Sequence, residues 1–231
     1  MLSLPNPFEW CSVPAGHTIM PHGEVAIPDF YVAKYPITNA QYAVFASADD
    51  GYAHAEWWDY SPGASAFRAD TLSPPHTAIE GDDLPRTNVS WYEAIAFCRW
   101  LSARQRAAIR LPSAAEWQRA AQVDTNWRYP WGDMFDPERC NFNTLTASPV
   151  QAHPQGASPC GALDMSGNVW EWCLDDYDSG NIDTALATPI RVVKGGSWWC
   201  TSSELFEVRY YSGGYPEGWS HDWGFRIVML R

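Results

Sequence analysis

Hydrophobic residues recur at helical spacing in one long segment, "SWYEAIAFCRWLSARQ" at residues 90–105. Ser90 and Glu93 form a capping box at its start, in which each side chain satisfies an amide that the first helical turn leaves free. The spacing predicts a helix with one face in the core. That face is made of Trp91, Ile95, Cys98 and Leu101.

Two further capping boxes predict shorter helices on either side of this one. Thr38 with Gln41 opens a helix that runs to about Ala48, and Ser113 with Glu116 opens "SAAEWQRAAQ". We interpret all three boxes as local structure and not as chemistry.

Strand signals are short and are interrupted by proline. The segment "EVAIPDFYVAKYPI" predicts strand pieces broken at Pro28 and Pro36, and "IRVVKGGSW" and "WGFRIVML" predict two strands near the end of the chain. From Asp124 onward, Gly, Pro, Asn and Asp recur every few residues and indicate long loops. Two main helices, short strands and much irregular chain predict an α+β fold. No internal repeat or low-complexity linker is present, so residues 1–231 are predicted to be one domain.

Charge and composition narrow the classes of partner. The chain has 15 Lys and Arg against 27 Asp and Glu, a net charge of −12, which argues against a nucleic acid as partner because such binding needs a basic surface. The sequence contains no apolar run of about 18 residues, so no membrane insertion is expected. The first residues lack the features of a signal peptide, so a cytoplasmic location is expected, with release or surface display by another route left open. The six cysteines are scattered and fit free, mostly buried thiols.

Seven motifs occur in one order along nearly the whole chain. They are "YPITNAQYAVF", "NVSWYEAIAFCRWLS", "RLPSAAEWQRAA", "YPWGD", "GALDMSGNVWEWC", "KGGSW" and "GFR". This succession resembles the formylglycine-generating enzyme (sulfatase-modifying factor) family, whose fold is a variant of the C-type lectin fold. The resemblance implies one of three functions: copper-dependent oxidation of a substrate cysteine, iron-dependent thiohistidine biosynthesis, or non-catalytic ligand binding. The last group includes the variable proteins of diversity-generating retroelements.

The copper-dependent members carry two cysteines five residues apart just after the "KGGSW" motif. Cys200 matches the first position, but Leu205 stands at the second. One thiolate and a leucine do not rebuild a soft Cu(I) site, so copper and catalytic residues are not expected. No H-x-x-x-H motif supports the iron-dependent function. The alternative that stays open is a copper-dependent oxidoreductase that acts on a substrate cysteine through Cys200.

The resemblance also implies a structural calcium ion in "LDMSGNVWEWC". Its ligands would be the carboxylates of Asp164 and Glu171 and the carbonyl oxygens of Gly167 and Val169. Such hard oxygen donors suit Ca²⁺. The alternative is that both carboxylates only hydrogen-bond to loop amides.

Residues 199–223 combine aromatic side chains with Ser and Gly and show no regular period. This composition is typical of recognition loops, where rigid rings provide contact area at low entropic cost. Trp198 and Phe225 are expected in the core, Arg226 is expected to pair with a buried carboxylate, and the two glycines of "KGGSW" are expected to allow a tight backbone path. The predicted ligand-binding residues are Trp199, Cys200, Ser202, Glu204, Phe206, Tyr210, Tyr211, Tyr215, Trp219, His221 and Trp223. The alternative is that half of these rings fill the core.

The function predicted from these observations is non-catalytic recognition. Its most specific version is a diversity-generating retroelement variable protein with residues 195–226 as the variable segment. A protein or other surface ligand is the expected partner, with a carbohydrate as the alternative.

Overall fold

The computed structural model describes residues 3–77 and 79–231, and the capping boxes decide where its helices begin. Thr38, Ser90 and Ser113 each accept a hydrogen bond at the start of a helix, and the three predicted capping boxes are confirmed. One further helix, α2, was not predicted. Its N-cap Ser61 is followed three residues later by Ala64 and not by Glu or Gln, so the sequence signal for a box is incomplete. The helices are α1 (Asn39–Ser47), α2 (Pro62–Asp70), α3 (Trp91–Gln105) and α4 (Ala114–Gln122).

The strands form two four-stranded sheets and a separate hairpin within the described residues. One sheet has the order β1-β4-β10-β5, the other has the order β8-β7-β6-β9, and β2 pairs with β3. The strands are β1 (Trp10–Val13), β2 (Gly16–Met20), β3 (Gly23–Ile27), β4 (Phe30–Ala33), β5 (Ile109–Arg110), β6 (Trp170–Asp176), β7 (Arg191–Lys194), β8 (Ser212–Gly214), β9 (Trp223–Gly224) and β10 (Val228–Leu230). Prolines 28 and 36 lie outside the strands, as the sequence predicts.

Strand β6 anchors both ends of the aromatic segment, which we define as residues 199–223. It is buried along its whole length and lies between β7 and β9 in its sheet. Glu171 is paired with Lys194 of β7 on one side and with Gly224 of β9 on the other. The chain leaves this sheet after β7, touches its edge again at β8, which pairs with β7, and returns to the side of β6 at β9, so both ends of the aromatic segment are anchored on one buried strand.

Many of the aromatic residues build the core. The Phe97 ring lies 5.4 Å from the Phe225 ring and 5.8 Å from the Phe45 ring, both in edge-to-face geometry. Trp198 and Phe225 are buried, which confirms their predicted place in the core. The predicted inner face of α3, including Leu101, is buried as well.

None of the helices among the described residues is long and apolar enough to cross a membrane.

Candidate functional site

The two glycines of "KGGSW" give the aromatic segment its tight entry. Gly195 and Gly196 have φ values of 98° and 72°, in the region that side chains disfavour. A Cβ on Gly196 would lie 3.0 Å from the Leu205 carbonyl oxygen and 3.2 Å from the Phe206 ring. The predicted tight backbone path is thus confirmed, and a side chain here would push the segment off the scaffold.

The "GFR" end is fixed by a buried ion pair. Arg226 Nε donates to Glu171 Oε2 at 2.5 Å, and Arg226 Nη2 donates to Oε1 at 2.6 Å. Trp117 Nε1 donates to the same carboxylate at 2.7 Å. Both charged side chains are 0% exposed. The predicted pairing of Arg226 with a buried carboxylate is confirmed, and the carboxylate belongs to Glu171.

This ion pair bears directly on the predicted calcium ligands. Glu171 already accepts three donors, and the Gly167 carbonyl accepts the Val169 amide at 3.0 Å. Asp164 is buried and accepts from the Asn168 side chain at 3.0 Å, and burial raises its pKa to about 7. A cation bound by Glu171 would have to displace the guanidinium, so these residues, as arranged, do not fit the ligand set that the resemblance implies. The described residues contain no group of three or more His, Cys, Asp or Glu arranged to hold a metal ion. The calcium ion stays an untested expectation from the resemblance, and the engagement of Glu171 by Arg226 does not support it.

Cys200 lies at the edge of the core and not in an open site. Both Cys200 and Leu205 are half-buried and pack against the same two hydrophobic clusters. The Cys200 sulfur lies 3.5 Å from the Ser197 hydroxyl, which in turn donates to Asp222 at 2.6 Å. Leu205, which stands where the copper-dependent members have their second cysteine, therefore lies in the same apolar surroundings as the Cys200 thiol.

Seven of the predicted ligand-binding residues are exposed. Among them are four large rings, with Trp199 60% exposed, Tyr215 63%, Trp219 52% and Tyr210 38%. The other three are Ser202, Glu204 and His221. These side chains are free to contact a ligand.

Phe206 was wrongly predicted to bind ligand. It is fully buried, with its ring 5.3 Å from the Phe142 ring and 5.8 Å from the Phe135 ring. A 3₁₀ turn at residues 203–206 directs it inward. Because the segment has no regular period, its sequence does not distinguish inward from outward side chains.

Two more predicted residues combine core packing with partial exposure. Trp223 is half-buried and packs edge-to-face on the buried Trp172, with ring centres 5.0 Å apart. Tyr211 is half-buried, and its ring lies 5.3 Å from that of Tyr177. These two rings pack against the scaffold and expose only part of their surface to a ligand.

The backbone of residues 215–222 is held by hydrogen bonds to the scaffold. Trp91 N–H donates to the Pro216 carbonyl at 3.1 Å, and Asn88 N–H donates to the Ser220 carbonyl at 3.0 Å. Trp170 N–H donates to the Asp222 carbonyl at 2.9 Å. The loop is thus fixed beside the start of α3 while its rings face outward.

Trp199 and His221 form an aromatic cluster on this surface. Their rings are 5.8 Å apart, and both contact the buried Trp198 ring, at 5.5 and 5.2 Å. The exposed rings therefore stand on a buried one, which orients them before any ligand arrives.

A groove beside the loop was not foreseen from the sequence. It has a volume of about 550 Å³ and is lined on one side by Tyr215, Pro216 and Glu217 and on another by Tyr92. Residues 61–63 and 185–189 line the rest of it. The walls come from segments distant in sequence, so no local motif marks them.

The fold and its two framing motifs define a domain of the C-type lectin type, in which a long irregular segment is mounted on a buried strand. A family model described as "Sulfatase-modifying factor enzyme 1-like domain" matches residues 7–230, and the chain belongs to this family.

Relatives and solved structures extend the comparison. Hercynine oxygenase of Mycolicibacterium thermoresistibile is 30% identical over 225 residues, which cover 83% of this chain and 49% of the relative. The chain thus spans about half the length of that curated relative. Treponema denticola variable protein 1 has a TM-score of 0.74 at 18% identity and covers 97% of this chain and 95% of its own. PvdO from Pseudomonas aeruginosa has a TM-score of 0.77 at 18% identity, with both chains fully covered. At these identities the structural likeness establishes the fold alone.

Proposed function

We propose that this protein is a non-catalytic recognition domain that binds its ligand through the exposed rings of residues 199–221. The observation that carries the proposal is that some parts of the segment anchor it to the scaffold while other side chains are exposed. Its main chain is hydrogen-bonded to the scaffold, and Trp198 and Phe206 anchor it in the core. Trp199, Tyr215 and Trp219 are more than half exposed.

The geometry of the segment favours binding because the rings are rigid before contact. Large exposed aromatic side chains contribute a disproportionate share of interface energy and lose little entropy when they are already oriented. Trp199 is oriented by Trp198 and His221, and Tyr215 lies in a loop that α3 holds in place. A protein surface is the proposed partner, and a carbohydrate that stacks on the rings is the alternative.

The most specific form of the proposal is a variable protein of a diversity-generating retroelement. The shared fold of Treponema denticola variable protein 1 is compatible with it. Sequencing the DNA beside the gene tests this form. A reverse transcriptase gene together with a near-copy of the codons for residues 195–226, differing at adenines, would support it, and their absence would reduce the proposal to a general binding domain.

The recognition proposal itself is tested with matched variants on two probe sets, a glycan array and a displayed peptide library. The test variant is Trp199→Ala/Tyr215→Ala/Trp219→Ala. The control variant, Trp127→Ala/Met134→Ala/Leu145→Ala, removes exposed apolar side chains outside the segment. Binders of the wild type should be lost by the test variant and kept by the control, with a loss of about 30-fold or more for each hot-spot ring. Binders that survive the test variant would overturn the proposal.

Oxidoreductase chemistry is the second candidate because the chain belongs to the sulfatase-modifying factor family and Cys200 stands at the first of the two cysteine positions of its copper-dependent members. In this chain it would act through Cys200. Titration with Cu(I), followed by spectroscopy, tests it. Stoichiometric binding that disappears in Cys200→Ala would favour the oxidoreductase over the recognition domain.

A further inference from the structure

We infer that Cys11 and Cys160 form a redox-active dithiol that reacts with small-molecule disulfides. Cys11 lies in β1 and is buried, whereas Cys160 lies in the turn at residues 158–161 and is half-buried. The Cys11 sulfur lies against Gly161, the residue that follows Cys160 in the chain. This site is separate from the proposed recognition surface and does not depend on it.

The fold brings the two thiols together through strand β4. Cys11 is paired with Val32 in the sheet, and the Leu163 amide donates to the Lys34 carbonyl just beyond the same strand at 2.8 Å. The turn that carries Cys160 therefore lies beside β1. A Cβ on Gly161 would be in ordinary contact with the Cys11 sulfur at 3.6 Å, which places that sulfur directly on the backbone of the turn.

The turn that carries Cys160 is fixed by hydrogen bonds among residues 158–162. Ser158 N–H donates to the Ala162 carbonyl and Gly161 N–H donates to the Ser158 carbonyl, both at 2.8 Å. The Ser158 hydroxyl accepts from the Ala162 amide at 3.2 Å and lies 3.3 Å from the Cys160 sulfur. Cys160 is therefore held in one place relative to Cys11.

The surroundings of Cys160 favour its thiolate. Interaction with the Cys11 thiol, with help from Ser158 and the Ala162 amide, outweighs the opposing effect of burial and lowers the pKa of Cys160 to about 6, and the same interaction raises the pKa of Cys11. The Ala120 carbonyl lies 3.2 Å from the Cys160 sulfur and favours the protonated thiol. The lowered pKa gives Cys160 a larger thiolate fraction at neutral pH than an ordinary thiol has.

This layout matches the chemistry of an attacking thiol and a resolving thiol. The Cys160 thiolate attacks one sulfur of a disulfide RSSR, forms a mixed disulfide and releases RS⁻. Cys11 then gives its proton to the thiolate RS⁻ and attacks the Cys160 sulfur, which forms the Cys11–Cys160 bond and releases the second RS⁻. This second thiolate takes up a proton from water. In sum, the two protein thiols are oxidised and one RSSR is reduced to two RSH.

The remaining cysteines provide the comparison. Cys98, Cys140 and Cys173 are buried, and burial raises the pKa of each. Cys200 is half-buried like Cys160, but its side-chain partner among the described residues is the Ser197 hydroxyl. Cys200→Ser is therefore the matched control for loss of a half-exposed thiol.

The test treats the folded protein with oxidised glutathione, quenches with N-ethylmaleimide and maps the peptides by mass spectrometry. The wild type and Cys200→Ser should lose the Cys11 and Cys160 thiols together and yield one cross-linked peptide pair. Cys160→Ser should leave Cys11 alkylated, and Cys11→Ser should stop with glutathione attached to Cys160. The site would be refuted by wild-type protein that keeps both thiols, that retains glutathione on Cys160, or that reacts first at Cys200. If Cys11→Ser does not fold, the wild type, Cys160→Ser and Cys200→Ser still decide the outcome.

Discussion

Replacing Arg226 by Met should destabilise the protein more strongly than any exposed charge substitution. Arg226 donates to both oxygens of Glu171, to the Leu163 carbonyl at 2.8 Å and to the Ala33 carbonyl at 3.1 Å, and all of these contacts are buried. Methionine has a similar length but no donor. The substitution therefore leaves a buried carboxylate with Trp117 as its described donor and also deprives two carbonyl oxygens of a partner.

The expected size follows from this geometry. Removing one partner of a buried, hydrogen-bonded ion pair costs about 3–5 kcal/mol because the remaining charge is neither solvated nor paired. For a chain of this size each kcal/mol lowers the Tm by roughly 2–4 °C, so Arg226→Met should lower it by roughly 6–20 °C. Urea unfolding followed by tryptophan fluorescence measures the free energy directly, and an unchanged m-value shows that the comparison is valid.

Arg231→Met is the matched control for this experiment. Arg231 pairs with Asp29 at 2.5 Å, but both side chains are nearly half exposed, so its loss should cost at most about 1 kcal/mol. Adding Glu171→Gln to Arg226→Met removes the orphaned charge and should recover part of the loss. The reasoning is refuted if Arg226→Met costs no more than Arg231→Met.

Three further predictions use single residues of the site and its support. Phe206→Ala should cost about 3–5 kcal/mol in urea unfolding because it opens a cavity, whereas Tyr215→Ala should stay within about 0.5 kcal/mol, and equal costs would contradict the assignment of inward and outward rings. Burial raises the pKa of Asp175 to about 6, so its ionisation should weaken the fold as pH rises from about 4 to about 6, by at most about 3 kcal/mol. Asp175→Asn should remove that slope from a pH series of unfolding curves, and an unchanged slope would assign it to other groups. Because Glu171 is engaged by Arg226, EDTA should leave the Tm unchanged. A fall in Tm that CaCl₂ restores would instead support the calcium site predicted from the sequence.

The local features of this fold were readable because their causes are local. Helices α1, α3 and α4 begin where a hydroxyl and a Glu or Gln three residues later satisfy each other's amides, and four adjacent residues contain all of that information. Helix α2 escaped prediction because Ser61 caps it without that partner. The strands on either side of Pro28 were likewise marked by a residue that cannot pair in a ladder.

The features that escaped prediction depend on contacts between distant segments. Phe206 is buried because rings from residues 135 and 142 meet it, and nothing within residues 199–223 records their presence. The thiol pair of Cys11 and Cys160 exists only because β4 lies beside both segments. The sequence predicted that Arg226 pairs with a buried carboxylate but not which one, and the folded chain shows that it is Glu171, 55 residues away in sequence. Spacing along the chain does not determine which carboxylate a buried guanidinium meets.

The mounting of the aromatic segment explains which of its positions can change without loss of the fold. Both ends are fixed on β6, one through the β7 pairing and one through Arg226 and Glu171, and the intervening loop is tied down by main-chain hydrogen bonds that any residue with an amide and a carbonyl can make. Exposed side chains such as Trp199 and Tyr215 add nothing to this anchoring, whereas Phe206 occupies the core. Selection for a new ligand can therefore replace the exposed rings at little cost in stability. In related chains of this family we expect substitutions to concentrate at the exposed positions and Phe206 to stay apolar, and the opposite distribution would show that the segment is retained for structure and not for recognition.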